Sequence, residues 1–269
     1  MAEVEHHTDE MGGVPVSWRS APTDATPTLY VHGVPNTSLI WTPFLSRTGG
    51  IALDLPGFGD AVKATTFPFS IAGYDGYIER FLDWREIDRV NLVMHDWGVA
   101  ALAFAQRAPG RVERIVLINA LPLFGGYSWH RIARIWRTPL LGELVMGSLT
   151  PRLLRRSLRR ANVAPLPERE LRAMYTTLDF ATQRAILRLY RSVGPATLET
   201  AGSRLAELDA PALIVWGERD PYIPARAAGE YADALGGACD LVLLPDAGHW
   251  PWLDRPDVID TVEKFLARS

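Results

Sequence analysis

Short apolar runs recur along the chain, and each ends in a glycine, a proline or a polar turn. Runs of this length and composition are typical of buried strands. We predict strands at 14–18, 28–32, 50–53, 90–94, 114–118, 212–216 and 241–244, and helices at 70–83, 99–107, 225–235 and 256–267. Alternation of this kind indicates βαβ units and a parallel sheet, so functional groups are expected where the strands end.

The alternation stops in the middle of the chain. Residues 121–208 are helical in pattern and punctuated by prolines, so we predict a helical cap there, inserted into a core formed by 1–120 and 209–269. Amphipathic helices with a solvated basic face explain its arginines, and an anionic ligand is the alternative. These arginines are Arg131, Arg134, Arg137, Arg152, Arg155, Arg156, Arg159 and Arg160.

Composition limits the classes of partner. The 269 residues are 48% hydrophobic and 22% charged, with a net charge of -3, as expected of an ordinary globular protein. This charge provides no general attraction for nucleic acid or anionic lipid, and no stretch is long and apolar enough to span a membrane. The first ten residues lack a signal-peptide pattern, and the single Cys239 excludes an internal disulfide, so we predict a cytoplasmic protein.

The strand at 90–94 runs through His95 and Asp96 into Trp97, Gly98 and a helix. Lipases and esterases carry serine at this strand-to-helix turn. A serine that attacked a saturated carbon would form an ether, whereas the carboxylate of Asp96 would form an ester, which activated water can hydrolyse. The aspartate therefore favours cleavage of a C–O or C–halogen bond at an sp3 carbon through a covalent intermediate.

Two further polar residues follow later strands. Asp220 comes after the strand at 212–216, and His249 lies in a loop of small residues after the strand at 241–244. Alone, Asp220 is equally well explained as a helix N-cap and His249 as a structural loop histidine. With Asp96 they give the order nucleophile, acid, histidine. The histidines show no spacing typical of metal ligands, so no metal site is predicted.

A tight turn follows the strand at 28–32. In the sequence His32-Gly33-Val34, the turn can direct the backbone N–H of Val34 toward the same position as the backbone N–H of Trp97. Two such donors would form an oxyanion hole for the charge that develops when water attacks an ester.

Together these residues resemble the epoxide hydrolase and haloalkane dehalogenase branch of the α/β-hydrolase superfamily, over nearly the whole chain. The resemblance rests on the elbow at 95–98, the loop at 54–59 and the loop at 247–249, although Met94 replaces the leading glycine of the usual elbow. It implies an α/β-hydrolase fold with a mostly parallel eight-stranded sheet, flanking helices and an inserted helical cap. It also implies catalysis without a cofactor.

The leaving group distinguishes the two chemistries. Dehalogenases of this branch hold the halide with the indole after the nucleophile, here Trp97, and commonly with an asparagine at the position occupied by Val34. Valine has no side-chain donor, so an indole N–H from Trp129 or Trp136 would have to replace the asparagine as the second halide donor. Epoxide hydrolases protonate the departing alkoxide with a cap tyrosine, and Tyr190, followed by Arg191, is similar to their tyrosine-arginine pair.

We therefore predict an epoxide hydrolase in which Asp96, His249, Asp220 and Tyr190 are catalytic and a small hydrophobic epoxide is the substrate. A haloalkane dehalogenase is the alternative, and a ligand-binding protein on a hydrolase scaffold is the non-enzyme alternative. For the second cap tyrosine of the branch, the sequence offers Tyr127, Tyr175 or neither. The oligomeric state is left open.

Overall fold

A computed structural model describes residues 2–268, and a twisted sheet runs through the middle of the molecule. Eight strands of the described chain form it, in the order β1-β2-β4-β3-β5-β6-β7-β8. β2 pairs antiparallel with both β1 and β4, and the strands β3 to β8 pair parallel with one another. The strands are β1 Glu5–Met11, β2 Val14–Ala21, β3 Thr28–Val31, β4 Gly50–Leu53, β5 Val90–Asp96, β6 Val112–Ala120, β7 Ala212–Gly217 and β8 Cys239–Leu244. The predicted fold class, a mostly parallel eight-stranded sheet with flanking helices, is confirmed.

All seven strands read from apolar runs are present, with small changes at their ends. The sequence pattern missed β1, whose residues Glu5–Met11 are mostly polar and exposed. An edge strand can be polar because it packs on one neighbour and faces solvent. By contrast, every residue of β5 is buried, as expected of a central strand covered on both faces.

Helices cover both faces of the sheet. The helix α2, Ile71–Trp84, shows why they form where they do. The Ser70 hydroxyl accepts a hydrogen bond from the Gly73 N–H at the N-terminus of this helix, and its apolar face is buried. The core helices are α1 Thr42–Thr48, α2 Ile71–Trp84, α3 Ala101–Arg107, α10 Arg226–Ala234, α11 Pro251–Asp254 and α12 Asp257–Leu266.

Six more helices lie between β6 and β7, in the segment for which the sequence predicts a cap. They are α4 Arg131–Arg137, α5 Leu141–Gly147, α6 Pro151–Leu158, α7 Glu168–Thr177, α8 Phe180–Ser192 and α9 Pro195–Ala201. Ile186, Leu189 and Val193 of this segment belong to the same apolar cluster as Leu92 and Leu117 of the sheet. The helical segment therefore shares its core with the sheet. Among residues 2–268, no helix is long and apolar enough to cross a membrane.

Candidate active site

The turn between β5 and the following helix is sharp and closely packed. Asp96 has φ 51° and ψ -121°, a backbone conformation that few side chains adopt. A Cβ on Gly98 would lie 2.1 Å from the Val31 carbonyl oxygen, and one on Gly33 would lie 2.4 Å from Asp96 Oδ2. Only glycine fits at both positions. The close approach brings Asp96 against the loop that follows β3.

Asp96 is only 5% exposed and lies at the carboxyl edge of the sheet. The Val34 N–H donates a hydrogen bond of 2.8 Å to Asp96 Oδ2. Burial raises the pKa of Asp96 to about 6, although the charge of His249 and hydrogen bonds from the backbone N–H groups of Val34 and Trp97 lower it. The carboxyl group is therefore mostly ionised at neutral pH, and both predicted backbone donors interact with it.

The predicted acid and histidine are in direct contact. His249 Nδ1 lies 2.8 Å from Asp220 Oδ2, which also accepts a 2.8 Å hydrogen bond from Asn119 Nδ2. Burial alone would lower the pKa of His249, but the charge and hydrogen bond of Asp220, with the charge of Asp96, raise it above its usual value. With Nδ1 donating to a carboxylate, Nε2 is the atom left to exchange a proton.

Asn119 was not identified in the sequence. It is the penultimate residue of β6 and has φ 40°, and its Oδ1 accepts a hydrogen bond from the Gly217 N–H while its Nδ2 donates to Asp220. Asn119 and the imidazole thus bond to the same oxygen of Asp220, while Asp220 Oδ1 accepts hydrogen bonds from the backbone N–H groups of Tyr222 and Ile223.

The backbone of His249 is held at both ends. Its N–H donates to the Ala161 carbonyl at 2.7 Å, and its carbonyl accepts a 2.9 Å hydrogen bond from His95 Nε2. Asn162, which is buried, bonds to both the N–H and the carbonyl of Trp250. The histidine loop is thus fastened to the helical segment by partners that lie more than 80 residues away in sequence.

Tyr190 lies on α8, in the same cavity as Asp96. Its ring packs edge-on against Trp97, with the centroids 5.0 Å apart. Burial, reinforced by the charge of Asp96, raises the pKa of its hydroxyl well above the usual value. The group is therefore protonated throughout the physiological pH range.

The two tyrosines left open by the sequence occupy different places. Tyr127 lines the cavity, and its hydroxyl donates to the Tyr222 carbonyl at 3.2 Å. Tyr175 on α7 is 36% exposed and does not line the cavity. Tyr222, which the sequence analysis did not single out, also lines it. We therefore drop Tyr175 as a second tyrosine.

The cavity has a volume of about 730 Å³, enough for a drug-sized molecule. Asp96, Tyr190 and His249 line it, and aliphatic side chains from the helical segment line much of the rest. These are Leu121, Ile132, Ile135, Val145, Met146, Leu149, Leu153, Leu154, Leu158, Leu178 and Ile186. Within residues 2–268, no cluster of three or more potential metal ligands is present.

A carboxylate on a sharp strand-to-helix turn, faced by a histidine-acid pair, defines a protein of the α/β-hydrolase type. A model of the alpha/beta hydrolase family matches residues 29–261. The chain belongs to that family, and the protein is a hydrolase of the family.

Relatives with named activities include both chemistries of the branch. The chain is 28% identical over 263 residues to an uncharacterized protein of Mycobacterium tuberculosis, covering 88% of this chain and 74% of that protein. It is 28% identical to a haloalkane dehalogenase of Mesorhizobium japonicum, covering 91% and 85%. Epoxide hydrolase 1 of Caenorhabditis elegans is 23% identical and covers 88% of this chain and 64% of that protein.

Solved structures show the same fold. A haloalkane dehalogenase from Bradyrhizobium elkani matches with a TM-score of 0.84, 23% identity and 98% coverage of both chains. The epoxide hydrolase CorEH matches with a TM-score of 0.85, 22% identity and coverage of 98% and 99%. The resemblance to this branch is confirmed, and the bond that is cleaved is left to the chemistry of the site.

Proposed function

We propose that the protein is an epoxide hydrolase that opens an epoxide to a vicinal diol through an ester on Asp96. The observation that carries the proposal is Tyr190, a buried and protonated phenol in the same cavity as an ionised carboxylate. Opening an epoxide requires both a nucleophile and a proton for the strongly basic leaving oxygen. The two groups supply these requirements.

In the first half-reaction, an Asp96 oxygen attacks an epoxide carbon and the C–O bond of the ring breaks. The Tyr190 hydroxyl gives its proton to the ring oxygen, so a hydroxyalkyl ester and a phenolate are formed. Because burial and the charge of Asp96 both disfavour a phenolate, loss of the Asp96 charge on alkylation makes this proton transfer easier.

In the second half-reaction, His249 Nε2 takes a proton from water, and the hydroxide oxygen adds to the ester carbon. The N–H groups of Val34 and Trp97 stabilise the negative oxygen that results. The intermediate then expels the diol and restores the Asp96 carboxylate. The leaving alkoxide takes the proton of the newly formed carboxyl group. His249 passes the proton that it took from water to the Tyr190 phenolate, so both residues return to their neutral forms.

Alkylation of Asp96 also changes the pKa of His249, the proposed base. The charge of Asp96 contributes to the raised pKa of His249, so its conversion to an ester lowers that pKa. A larger fraction of His249 is then neutral and able to accept a proton at the step that requires it.

The residues 121–208 act in this proposal as a cap over residues 1–120 and 209–269. The segment supplies Tyr190 and the aliphatic side chains of the cavity, so a small hydrophobic epoxide is the proposed substrate.

A haloalkane dehalogenase is the second candidate, and two indoles favour it. Trp97 Nε1 and Trp129 Nε1 are buried and have no hydrogen-bond partner among residues 2–268. Their rings stack with centroids 5.8 Å apart. In this candidate function, Trp129 replaces the asparagine donor whose position Val34 occupies. The two indole N–H groups would then bind the departing halide.

Mass spectrometry of a His249→Gln variant tests the proposal. The variant is incubated with styrene oxide and, separately, with 1-bromobutane, and the mass of the peptide that contains Asp96 is measured. Without the base the ester should accumulate, so we expect an adduct from the epoxide. An adduct from the bromide alone would assign the protein to the dehalogenases, and the Asp96→Asn variant is the unreactive control.

A further inference from the structure

His130 is a cavity residue that the proposed mechanism does not use. It lies just before α4 and lines the cavity together with Asp96, Tyr190 and His249. Its ring centroid is 5.0 Å from that of Tyr222 and 6.4 Å from that of Tyr190. The imidazole is thus among the groups that surround the reacting atoms.

The position of its proton follows from a local contact. His130 is the N-cap of α4, and its Nδ1 accepts a hydrogen bond from the Ala133 N–H at 3.3 Å. A ring nitrogen that accepts a hydrogen bond carries no proton, so in the neutral imidazole the proton is on Nε2.

The ring is neutral under ordinary conditions. Burial, reinforced by the charge of His249, lowers the pKa of His130 to about 4. Nε2–H is therefore a donor at every pH at which Asp96 is ionised. A neutral donor also leaves the Asp96 carboxylate free to attack, because it does not form an ion pair with it.

We propose that His130 is a second catalytic hydrogen-bond donor, whose Nε2–H binds the epoxide oxygen that Tyr190 protonates. This inference rests on the proposed function and gives His130 the place of the second cap tyrosine, for which the sequence offered Tyr127, Tyr175 or neither. The His130 proton stays on nitrogen throughout. Tyr190 alone transfers a proton as the ring C–O bond breaks, and His130 stabilises the charge that builds up on the oxygen before the transfer is complete.

Two substitutions separate this role from helix capping. In His130→Asn the amide oxygen replaces Nδ1 as the N-cap acceptor, but the side chain is too short to reach the position of Nε2. In His130→Gln the amide N–H replaces Nε2–H, and the cap acceptor is lost. A catalytic donor and a structural cap therefore predict opposite orders of activity for the two variants.

The experiment measures the rate of Asp96 alkylation by styrene oxide in single-turnover mixtures, with both substitutions made in the His249→Gln background. We expect His130→Asn to slow alkylation by about 10- to 100-fold, since removal of one donor to a developing oxyanion has effects of this order or larger. We expect His130→Gln to stay within about threefold of the parent, because it retains a donor at the Nε2 position.

The reverse order, with the asparagine variant fast and the glutamine variant slow, would overturn the inference, as would equal rates in all three proteins. Circular dichroism confirms that each variant is folded. If the asparagine variant does not fold, the glutamine variant decides, because a folded glutamine variant with little activity contradicts a donor role. An unmodified Asp96 in the parent protein would instead reject the proposed function itself.

Discussion

At the scale of single residues, Asp96 and His249 each shift the pKa of the other. The pKa of Asp96 lies near 6 because burial raises it more than His249 and the backbone donors lower it. His249 is affected in the opposite direction, because its pKa is raised by Asp220 and Asp96 against the effect of burial. A change of charge at either residue therefore alters the other.

The first prediction concerns pH. Only the carboxylate of Asp96 is a nucleophile, and its pKa is raised from 3.8 to about 6, so the alkylation rate should fall as the pH drops through about 6. Single-turnover rates measured with the wild-type protein check this. In the His249→Gln variant the midpoint should move to higher pH, because a positive charge that lowers the pKa of Asp96 is gone. A rate that stayed constant from pH 7 to pH 4.5 would contradict the assignment.

The second prediction concerns Asp220. Asp220→Asn removes the charge that orients and stabilises the His249 imidazolium, so turnover should fall on the order of 10³- to 10⁴-fold. Alkylation does not require the base and should be affected less. Mass spectrometry during turnover should then find the ester accumulated on Asp96. Slow alkylation with no accumulated ester would show that Asp220 acts at an earlier step.

At the scale of elements, the strand-to-helix turn places Asp96, and its geometry requires small residues. The helix after the turn approaches β3 so closely that a methyl group on Gly98 would overlap the Val31 carbonyl. The turn therefore leaves no room for a side chain at residue 98.

The third prediction uses this contact. Gly98→Ala should lower the free energy of unfolding by about 3 kcal/mol or more and remove activity, because the backbone must move to admit the methyl group. Gly229→Ala is the matched control, since Gly229 lies in α10 with no atom within 4 Å of an added Cβ. There alanine should be neutral or stabilise the helix by up to about 1 kcal/mol. Urea unfolding measures both, and equal stability of the two variants would contradict the account.

The element scale also shows what the sequence could predict. The strands with apolar runs and the order of Asp96, Asp220 and His249 follow from local patterns, because the fold brings the carboxyl ends of parallel strands to one edge. Tyr190 was found by resemblance to a motif. No local sequence pattern indicates the roles of four other residues, Asn119, His95, Asn162 and His130. Their roles depend on contacts between residues far apart in sequence, such as His95 with His249.

At the scale of the whole molecule, two apolar clusters join the sheet and the helical segment, and each contains residues of both. Ile186 and Tyr190 of the segment pack in the same cluster as Leu92 and Met94 of β5. The histidine loop is fastened to the segment through Ala161 and Asn162. The proposed cap is thus continuous with the body of the protein at the site.

The fourth prediction follows from this continuity. Regions that share a core unfold together, so calorimetry should show one cooperative thermal transition. Asn162→Ala should lower its midpoint, since buried hydrogen bonds to the Trp250 backbone are lost. Two separate transitions, of which Asn162→Ala shifted only one, would show that the segment is an independent domain.

The most direct test of the central claim is the fate of the oxygen atoms of Asp96. Turnover of styrene oxide by excess wild-type enzyme in H₂¹⁸O should place ¹⁸O in the Asp96 carboxyl group, because water adds to the ester carbon and one of its oxygen atoms stays with the side chain. The diol from the first turnover should carry no label. Labelled diol with an unlabelled Asp96 would mean that water attacks the substrate directly, and would contradict the covalent mechanism.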